Sequence, residues 1–553
     1  MTRLTRTRSA ILCTALAALA ATGLSACKGS ANTTSAGGGT LTIQGDAGNP
    51  TLVENFNPLV TATELGGARL MYEPLEIASP IDGKYTPFLA TGYKFTDPKT
   101  LVYTIRQGVK WSDGKDFTPA DVVFTFQLLK KFPALDSNGV WNQIAGVATS
   151  GNDVTVTFKE ANVPFAGVVA ATPIVPQHLW STVPDPVKYA NTKPVGTGPF
   201  TLDKFAPTQY TLKKNASYWQ ADKIAPKAVV FPAQSSNQST NQLDVTSGKF
   251  DWAYNFLPDV KKTFVAKDPK HNIYWFPPGG VIGLYLNLTK APYSDVNFRK
   301  GVSLSLNRST IATKAVNGYL DQASMSGLIL PNLDKWLDSS LPDKGVVSQN
   351  AAAAKAAFAQ AGYTSKGGKL VGADGKQATM TISMPTNFSD WVAAAKEVST
   401  QLSAMGIKVN LDLPEFAAYQ SSIQSGKFDA AIGGYGGTGT PYNDFNNALN
   451  SSFATPVGTT TSNNFQRFKD PTVDSALSTL AAATDETAQQ QATKTLEQVM
   501  YTKLPVVLMY YGGSWGLFST KNFTGWPSAD DPYTLPTSYN NAVLVVVTHL
   551  KKA

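Results

Sequence analysis

The residues best suited to contact a ligand lie at 433–439, with the sequence Gly-Gly-Tyr-Gly-Gly-Thr-Gly. They follow the apolar stretch 428–432, which is typical of a strand, and glycines there let backbone amides approach a bound molecule closely. A phosphate-binding loop would need a Lys followed by Ser or Thr, whereas Pro441 follows here. The block is interpreted as a ligand-contacting loop, with a tight turn that binds nothing as the alternative.

The next block, Tyr442–Asn447, is rich in amide groups and aromatic rings. Neutral hydrogen-bonding side chains pair with sugar hydroxyls, and aromatic faces stack on the C–H face of a sugar ring. Residues of these types elsewhere could line the same pocket, although each could equally pack in a core. The predicted ligand-binding residues are Asn57, Trp141, Trp252, Asn255, Trp275, Tyr435, Gly436, Thr438, Tyr442, Asn443, Tyr510, Tyr511 and Trp515.

Metal and nucleophile chemistry is poorly represented. The 553 residues contain three histidines and two cysteines, with no His/Cys cluster at metal-ligand spacing and no Ser-His-Asp pattern. The formal net charge is +8, without a run of five or six basic residues. No metal, cofactor or nucleic-acid partner is therefore expected.

Both cysteines, Cys13 and Cys27, lie near the N-terminus. Three arginines precede an apolar run, 10–24, which is shorter than the roughly 20 residues that span a bilayer. The stretch Leu24–Cys27 resembles the small-residue box of bacterial lipoprotein signals, which predicts cleavage after residue 26 and acylation of Cys27. An ordinary secretory signal is the alternative. Either signal implies that the mature protein works outside the cytoplasm, without an internal disulfide.

The remainder predicts mixed α/β lobes after a flexible tether at 27–39. Residues 40–44, 101–106, 379–384 and 407–413 have strand character. Thr118-Pro119-Ala120-Asp121 is typical of a helix start, with an N-cap and an acid at the third position. Helices are also expected at 351–361 and 391–402. The length exceeds that of one hydrophobic core, so two or three lobes are expected.

Several sequence blocks resemble the oligopeptide-binding family, the family 5 extracytoplasmic solute-binding proteins of ABC importers. They follow the family's order over nearly all of the mature chain, although Asn307 stands where the family usually has Asp. The blocks are Arg69–Leu75, Gly83–Ala90, Tyr103–Val122, Val195–Phe200 with Asn215 and Tyr218-Trp219, Tyr285–Leu288 with Asp295–Lys300, and Leu306–Arg308.

The resemblance implies an α/β fold: a two-lobe periplasmic-binding-protein clamshell of class II, cluster C type, with an extra small domain. The expected boundaries are 40–75, 193–286 and 505–553 for lobe I, 76–192 for the extra domain, and 287–504 for lobe II. The implied partners are an ABC permease and its ATPase, and the implied state is a monomer held at the outer face of the membrane by its lipid.

The resemblance leaves the ligand class open between oligopeptide and oligosaccharide. Peptide-binding relatives carry an aspartate in the glycine block, where this chain has Thr438. Stretches 55–58 and 72–75 are similar to oligosaccharide-binding relatives. Alternative functions are a sensor without transport and a polysaccharide-active lipoprotein enzyme. An enzyme is not expected, because the carboxylate pairs Asp113/Asp116 and Glu73/Glu76 lie in fold-forming blocks.

Overall fold

The computed structural model describes residues 39–45, 50–60 and 63–553. The predicted signal peptide and Cys27 lie outside these ranges. The strands span Thr40–Thr42, Glu76–Ala78, Tyr85–Pro87, Ala90–Asp97, Thr100–Ile105, Ile144–Ser150, Asp153–Phe158, Phe200–Ala206, Gln209–Lys214, Ala228–Pro232, Trp252–Tyr254, Asn272–Trp275, Pro278–Leu286, Thr364–Lys366, Lys369–Val371, Thr379–Ser383, Lys408–Asp412, Ala430–Tyr435, Val507–Gly513, Gly516–Ser519, Phe523–Thr524 and Lys551–Lys552.

Helices cover the sheets and connect them. They span Leu65–Met71, Pro119–Lys131, Val140–Gln143, Ala166–Ala170, Gln177–Trp180, Gln238–Thr246, Val260–Thr263, Val296–Ser305, Arg308–Val316, Ala351–Gln360, Ser389–Ala404, Phe416–Ser425, Pro441–Leu449, Pro471–Ala482, Glu486–Lys503 and Ala542–His549.

Local signals account for several of these elements. In the helix Pro119–Lys131, the backbone N–H of Thr118 donates to the Asp121 carboxylate at 2.9 Å, which completes the expected capping box. The helix Ala351–Gln360 ends before Gly362, whose φ of +83° suits a residue without a Cβ. The strands Thr379–Ser383 and Lys408–Asp412 pair in parallel across an intervening helix, as the predicted βαβ unit requires.

Three larger sheets organise the chain. One four-stranded sheet has the order Thr40–Thr42, Ala228–Pro232, Gln209–Lys214 and Phe200–Ala206. A second, within the expected extra domain, has the order Ala90–Asp97, Thr100–Ile105, Asp153–Phe158 and Ile144–Ser150. The five-stranded sheet has the order Lys408–Asp412, Thr379–Ser383, Ala430–Tyr435, Pro278–Leu286 and Val507–Gly513.

The five-stranded sheet differs from the expected lobe boundaries. Pro278–Leu286 and Val507–Gly513 were assigned to lobe I, yet both strands pair inside the sheet that carries Ala430–Tyr435. Backbone hydrogen bonds decide the sheet to which a strand belongs, and the family resemblance does not specify them. The chain enters and leaves this sheet at about residues 277 and 514, where the Ser514 N–H donates to the Pro277 carbonyl at 2.9 Å.

Two hydrophobic cores lie on either side of a three-stranded sheet formed by Trp252–Tyr254, Gly516–Ser519 and Asn272–Trp275. Successive residues of a strand point to opposite faces. Trp252 and Phe518 accordingly belong to the core of the N-terminal half, whereas Ala253 and Leu517 belong to the other core. This small sheet thus joins the two halves of the molecule.

Candidate functional site

A cavity of about 380 Å³ lies where distant stretches of the chain meet. Its wall combines the helix Leu65–Met71, the extra domain, the glycine block and the segment before the last helix. The lining residues are Leu65, Arg69, Ile77, Ala78, Pro80, Tyr85, Asn138, Pro164, Gly167, Val168, Ala171, Gly437, Thr438, Thr440, Asn443, Thr534, Asn540, Asn541 and Ala542. Such a site can enclose a ligand when the surrounding bodies close.

The glycine block reaches this cavity because it can pass very close to other backbone. Gly437 and Gly439 have φ values of +80° and +77°, in the left-handed region. A Cβ at Gly437 would lie 2.1 Å from the carbonyl oxygen of Gly279, and one at Gly439 would lie 2.3 Å from that of Ser79. Gly439 therefore brings the loop against the hairpin of the extra domain, and Gly437 brings it against the strand Pro278–Leu286. The sequence alone did not separate this packing role from ligand contact.

Asp444 lies directly behind this loop. One of its carboxylate oxygens accepts hydrogen bonds from the Thr438 hydroxyl at 2.8 Å and the Thr438 N–H at 3.3 Å. The other oxygen is buried and has no partner among the described residues. Burial raises the pKa of Asp444 to about 7. The block thus keeps an acid, but Thr438 stands between it and the cavity.

Of the predicted residues, Thr438 and Asn443 line the cavity. Gly436, with a φ of +96°, lies in the same loop. Tyr435 ends the strand before it, and its hydroxyl donates to the Gly327 carbonyl at 3.1 Å. Tyr435 and Tyr442 are partly buried and pack against the C-terminal core. Thr438 and Asn443 therefore reach the cavity, whereas Tyr435, Gly436 and Tyr442 are not among its lining residues.

Asn57, Trp252 and Tyr510 are fully buried and do not line the cavity. The Asn57 amide donates to two backbone carbonyls at 2.9 Å each, which ties its segment to residues 186–189. The Trp252 indole donates to the Pro536 carbonyl at 3.1 Å. The sequence pattern could not separate these core positions from a pocket, because amides and rings serve both.

The other predicted residues also lie outside the cavity wall, and most of them pack against neighbouring side chains or backbone. Trp515 lies against Phe256 and Phe276, with ring centroids 5.0 and 5.1 Å away. The Trp141 indole donates to a carbonyl inside the extra domain at 2.6 Å. The remaining three are Asn255, which is buried beside Trp515, Tyr511, whose hydroxyl contacts Ser324 and Leu328, and Trp275, which lines a separate cavity of about 720 Å³.

Sequence reasoning missed four polar residues of the cavity wall that lie outside the glycine block: Arg69, Asn138, Asn540 and Asn541. Arg69 belongs to the first block that resembles the family, but nothing in its local sequence marks it as a ligand-binding residue. The asparagines lie in stretches without a motif. Only the folded chain brings these positions to the glycine block, so no local pattern could have identified them.

Residues 39–45, 50–60 and 63–553 contain neither a candidate metal centre nor a candidate membrane-spanning helix. Within these ranges, no group of three or more His, Cys, Asp or Glu side chains could hold a metal ion. No helix there is both long enough and apolar enough to cross a bilayer. The carboxylates of Asp113 and Asp116 are each paired with a basic side chain. Asp113 contacts His178 at 2.8 Å, and Asp116 contacts Lys110 at 2.7 Å.

Comparisons with known proteins agree with this architecture. The chain is 25% identical over 541 residues to a probable peptide-binding protein of Agrobacterium fabrum, covering 87% of this chain and 86% of that protein. It is also 25% identical over 532 residues to a peptidoglycan-binding protein of the same organism, covering 85% and 83%.

Solved structures show the same fold. A periplasmic oligopeptide-binding protein of an ABC transporter from Thermotoga maritima matches with a TM-score of 0.86 and 24% identity, covering 94% of this chain and 100% of that one. A mannohexaose-bound structure described in the same terms matches with a TM-score of 0.79 and 25% identity, covering 93% and 99%. These similarities establish the two-lobe α/β binding-protein fold.

The family assignment comes from a family model that matches residues 84–456, described as bacterial extracellular solute-binding proteins, family 5. Proteins of this family are extracytoplasmic solute-binding components of ABC importers. This chain belongs to the family 5 bacterial extracellular solute-binding proteins.

Proposed function

We propose that this protein captures a short oligomeric solute, a peptide or an oligosaccharide, and delivers it to the permease and ATPase of an ABC importer. The cavity carries the proposal, because its wall is assembled from segments that are far apart in the chain. A ligand held there would be enclosed when these segments approach each other. The relatives named for peptide and peptidoglycan binding, and the mannohexaose complex, support both ligand classes.

The site residues within this proposal are those at the cavity edge. Thr438 and Asn443 supply a hydroxyl and an amide, and the glycines between 436 and 439 supply backbone groups. A lobe II running from about 278 to 513 carries this loop. Lobe I and the extra domain carry the opposite wall. Closure would then change the distance between Gly439 and Ser79, which pack against each other here.

Closure and binding can be tested together. Small-angle scattering should show a smaller radius of gyration when the cognate ligand is added, because two rigid bodies close on it. A thermal-shift screen of peptides, cello- and manno-oligosaccharides and nickel identifies that ligand, since binding to the native state raises the melting temperature. An unchanged scattering profile at saturating ligand would contradict the clamshell, and chemical conversion of the ligand by the pure protein would favour the enzyme.

We also propose that Cys27 carries the lipid that holds the protein at the outer face of the cell membrane. Stable residence would then depend on acyl chains. Cys27→Ser should move the protein from the membrane fraction to the soluble fraction, whereas Cys13→Ser, within the predicted signal, should leave the membrane fraction unchanged. If Cys27→Ser stays with the membrane after a high-salt wash, the anchoring proposal is wrong.

A further inference from the structure

Arg69 differs from every other arginine in the described part of the chain. Arg299, Arg308 and Arg467 each donate to several backbone carbonyls. Arg106 donates to a carbonyl at 2.6 Å and lies 3.9 Å from the centre of an indole ring. The Arg69 guanidinium has no hydrogen bond or ion pair with any described residue. Its five N–H donors are thus available to a ligand.

Arg69 is also placed where a ligand would be. It lies in the last turn of the helix Leu65–Met71 and lines the cavity of about 380 Å³. Arg69 also lines an adjoining cavity of about 210 Å³, where the carboxylate of Asp136 accepts hydrogen bonds from the backbone N–H groups of Val140 and Trp141 and forms no ion pair with Arg69. Among the described residues that line the larger cavity, Arg69 is the one with a charged side chain.

The surroundings of Arg69 make its charge costly without a counter-ion. Burial lowers the pKa of the guanidinium to about 10, and no acidic group offsets this effect. A partly desolvated cation without a partner is destabilising, and a ligand anion would remove that cost. The protein therefore keeps an uncompensated charge in the cavity that a bound molecule can neutralise.

The chemistry of the cavity selects the kind of anion. A guanidinium matches a carboxylate with two parallel hydrogen bonds. A phosphate dianion would call for a second cation, and the lining supplies none among the described residues. The other polar groups are neutral, including the amides of Asn138, Asn443 and Asn541, which have no hydrogen-bond partner among the described residues. These amides suit the uncharged parts of an oligomer.

We infer that the ligand carries a carboxylate and that Arg69 binds it, an inference that rests on the proposed solute-binding function. The carboxylate has two possible sources, the C-terminus of a peptide and an acidic sugar residue. Both present the same planar group to the guanidinium, so the source is decided by experiment.

The experiment compares two matched ligand pairs by calorimetry. One pair is tetra-alanine and its C-terminal amide, and the other is tetragalacturonic acid and its methyl ester. The wild type should bind the acid of one pair at least tenfold more tightly than the neutral partner. Arg69→Gln should reduce this ratio to about one. Lys84→Gln, which removes an exposed cation on the neighbouring hairpin, should keep the wild-type ratio.

A second measurement needs no ligand. Arg69→Gln removes an uncompensated charge, so the Tm of the ligand-free protein should stay the same or rise. A fall of more than about 5 °C would show that Arg69 holds the fold, and would overturn the inference.

The calorimetric results separate the inference from the function on which it rests. If the neutral partners bind as well as the acids, or if Arg69→Gln keeps the preference, the carboxylate inference fails and the solute-binding function stands. The same holds if only neutral oligomers, such as mannohexaose, bind. If no peptide or oligosaccharide raises the Tm of the wild type, both fail.

Discussion

Replacing Asp444 by Asn should make the protein less sensitive to rising pH. Asp444 is 1% exposed, and burial raises its pKa from 3.8 to about 7. The native state therefore holds the proton more tightly than the unfolded chain does. Stability from this group is full below about pH 4 and is lost as the pH rises through 7.

The magnitude follows from the two pKa values. Each pKa unit corresponds to about 1.4 kcal/mol, so ionised Asp444 costs about 4 kcal/mol of unfolding free energy at pH 8. At pH 5 the cost is only about 2 kcal/mol, because the native carboxyl is still protonated. Asparagine keeps the oxygen that accepts from Thr438 and carries no charge. The difference in stability between Asp444→Asn and wild type should therefore increase by about 2 kcal/mol from pH 5 to pH 8.

Urea unfolding followed by tryptophan fluorescence at both pH values measures this change. Other buried acids, such as Glu73 and Glu497, titrate equally in both proteins and cancel. Asp530→Asn is the matched control, because it removes an exposed carboxylate that has no hydrogen bond or ion pair with a described residue, and it should leave the free energy of unfolding close to that of the wild type. If Asp444→Asn shifts stability by the same amount at pH 5 and pH 8, the carboxyl is not buried as described.

Two further substitutions test the loop beside the cavity. Gly439→Ala should weaken ligand binding and lower the Tm, because its Cβ would meet the Ser79 carbonyl. Gly458→Ala controls for backbone strain alone, because Gly458 has a φ of +97° and open space around it. Equal effects of the two substitutions would contradict the contact between Gly439 and Ser79. Tyr435→Phe should cost about 1 kcal/mol of unfolding free energy through the lost hydrogen bond to Gly327 and leave affinity unchanged. A loss of affinity without a loss of stability, measured by calorimetry and urea unfolding, would instead show that the Tyr435 hydroxyl contacts the ligand.

Elements with short-range signals were predictable from the sequence. The capping residues Thr118 and Asp121 fixed one helix start. Alternation in the strands and apolar spacing in the helix between them located the βαβ unit. The ends of the predicted 428–432 strand were displaced, because the observed strand Ala430–Tyr435 continues into the glycines. Gly433 pairs with Gly283 and Gly434 pairs with Ile282 in the adjacent strand, and this pairing outweighs the low strand propensity of glycine.

The cavity was only partly predictable. Thr438 and Asn443 followed from the composition of one block, but half of the opposite wall comes from residues about 300 to 370 positions earlier in the chain. The residues next to Arg69 in the sequence form no recognisable motif. Only the folded structure shows that its guanidinium lines the cavity and has no hydrogen bond or ion pair with a described residue. Conversely, Trp252 has the side chain of a stacking residue but is entirely enclosed by the core. Amino-acid type states what a residue can bind, and long-range packing decides whether it is reachable.

The two crossing strands at Pro278 and Gly513 are neighbours in one sheet, and their approaches are bonded through Ser514 and Pro277. Two connections that lie side by side allow bending about a single axis, but their hydrogen bonds oppose sliding of one against the other. We therefore expect the lobes to open by hinge bending about this single axis, with little twist or shear of one lobe against the other. Glycines at 279, 280, 512 and 513 have no Cβ to restrict their backbone torsions, so we expect bending there to cost little of the free energy that ligand binding provides.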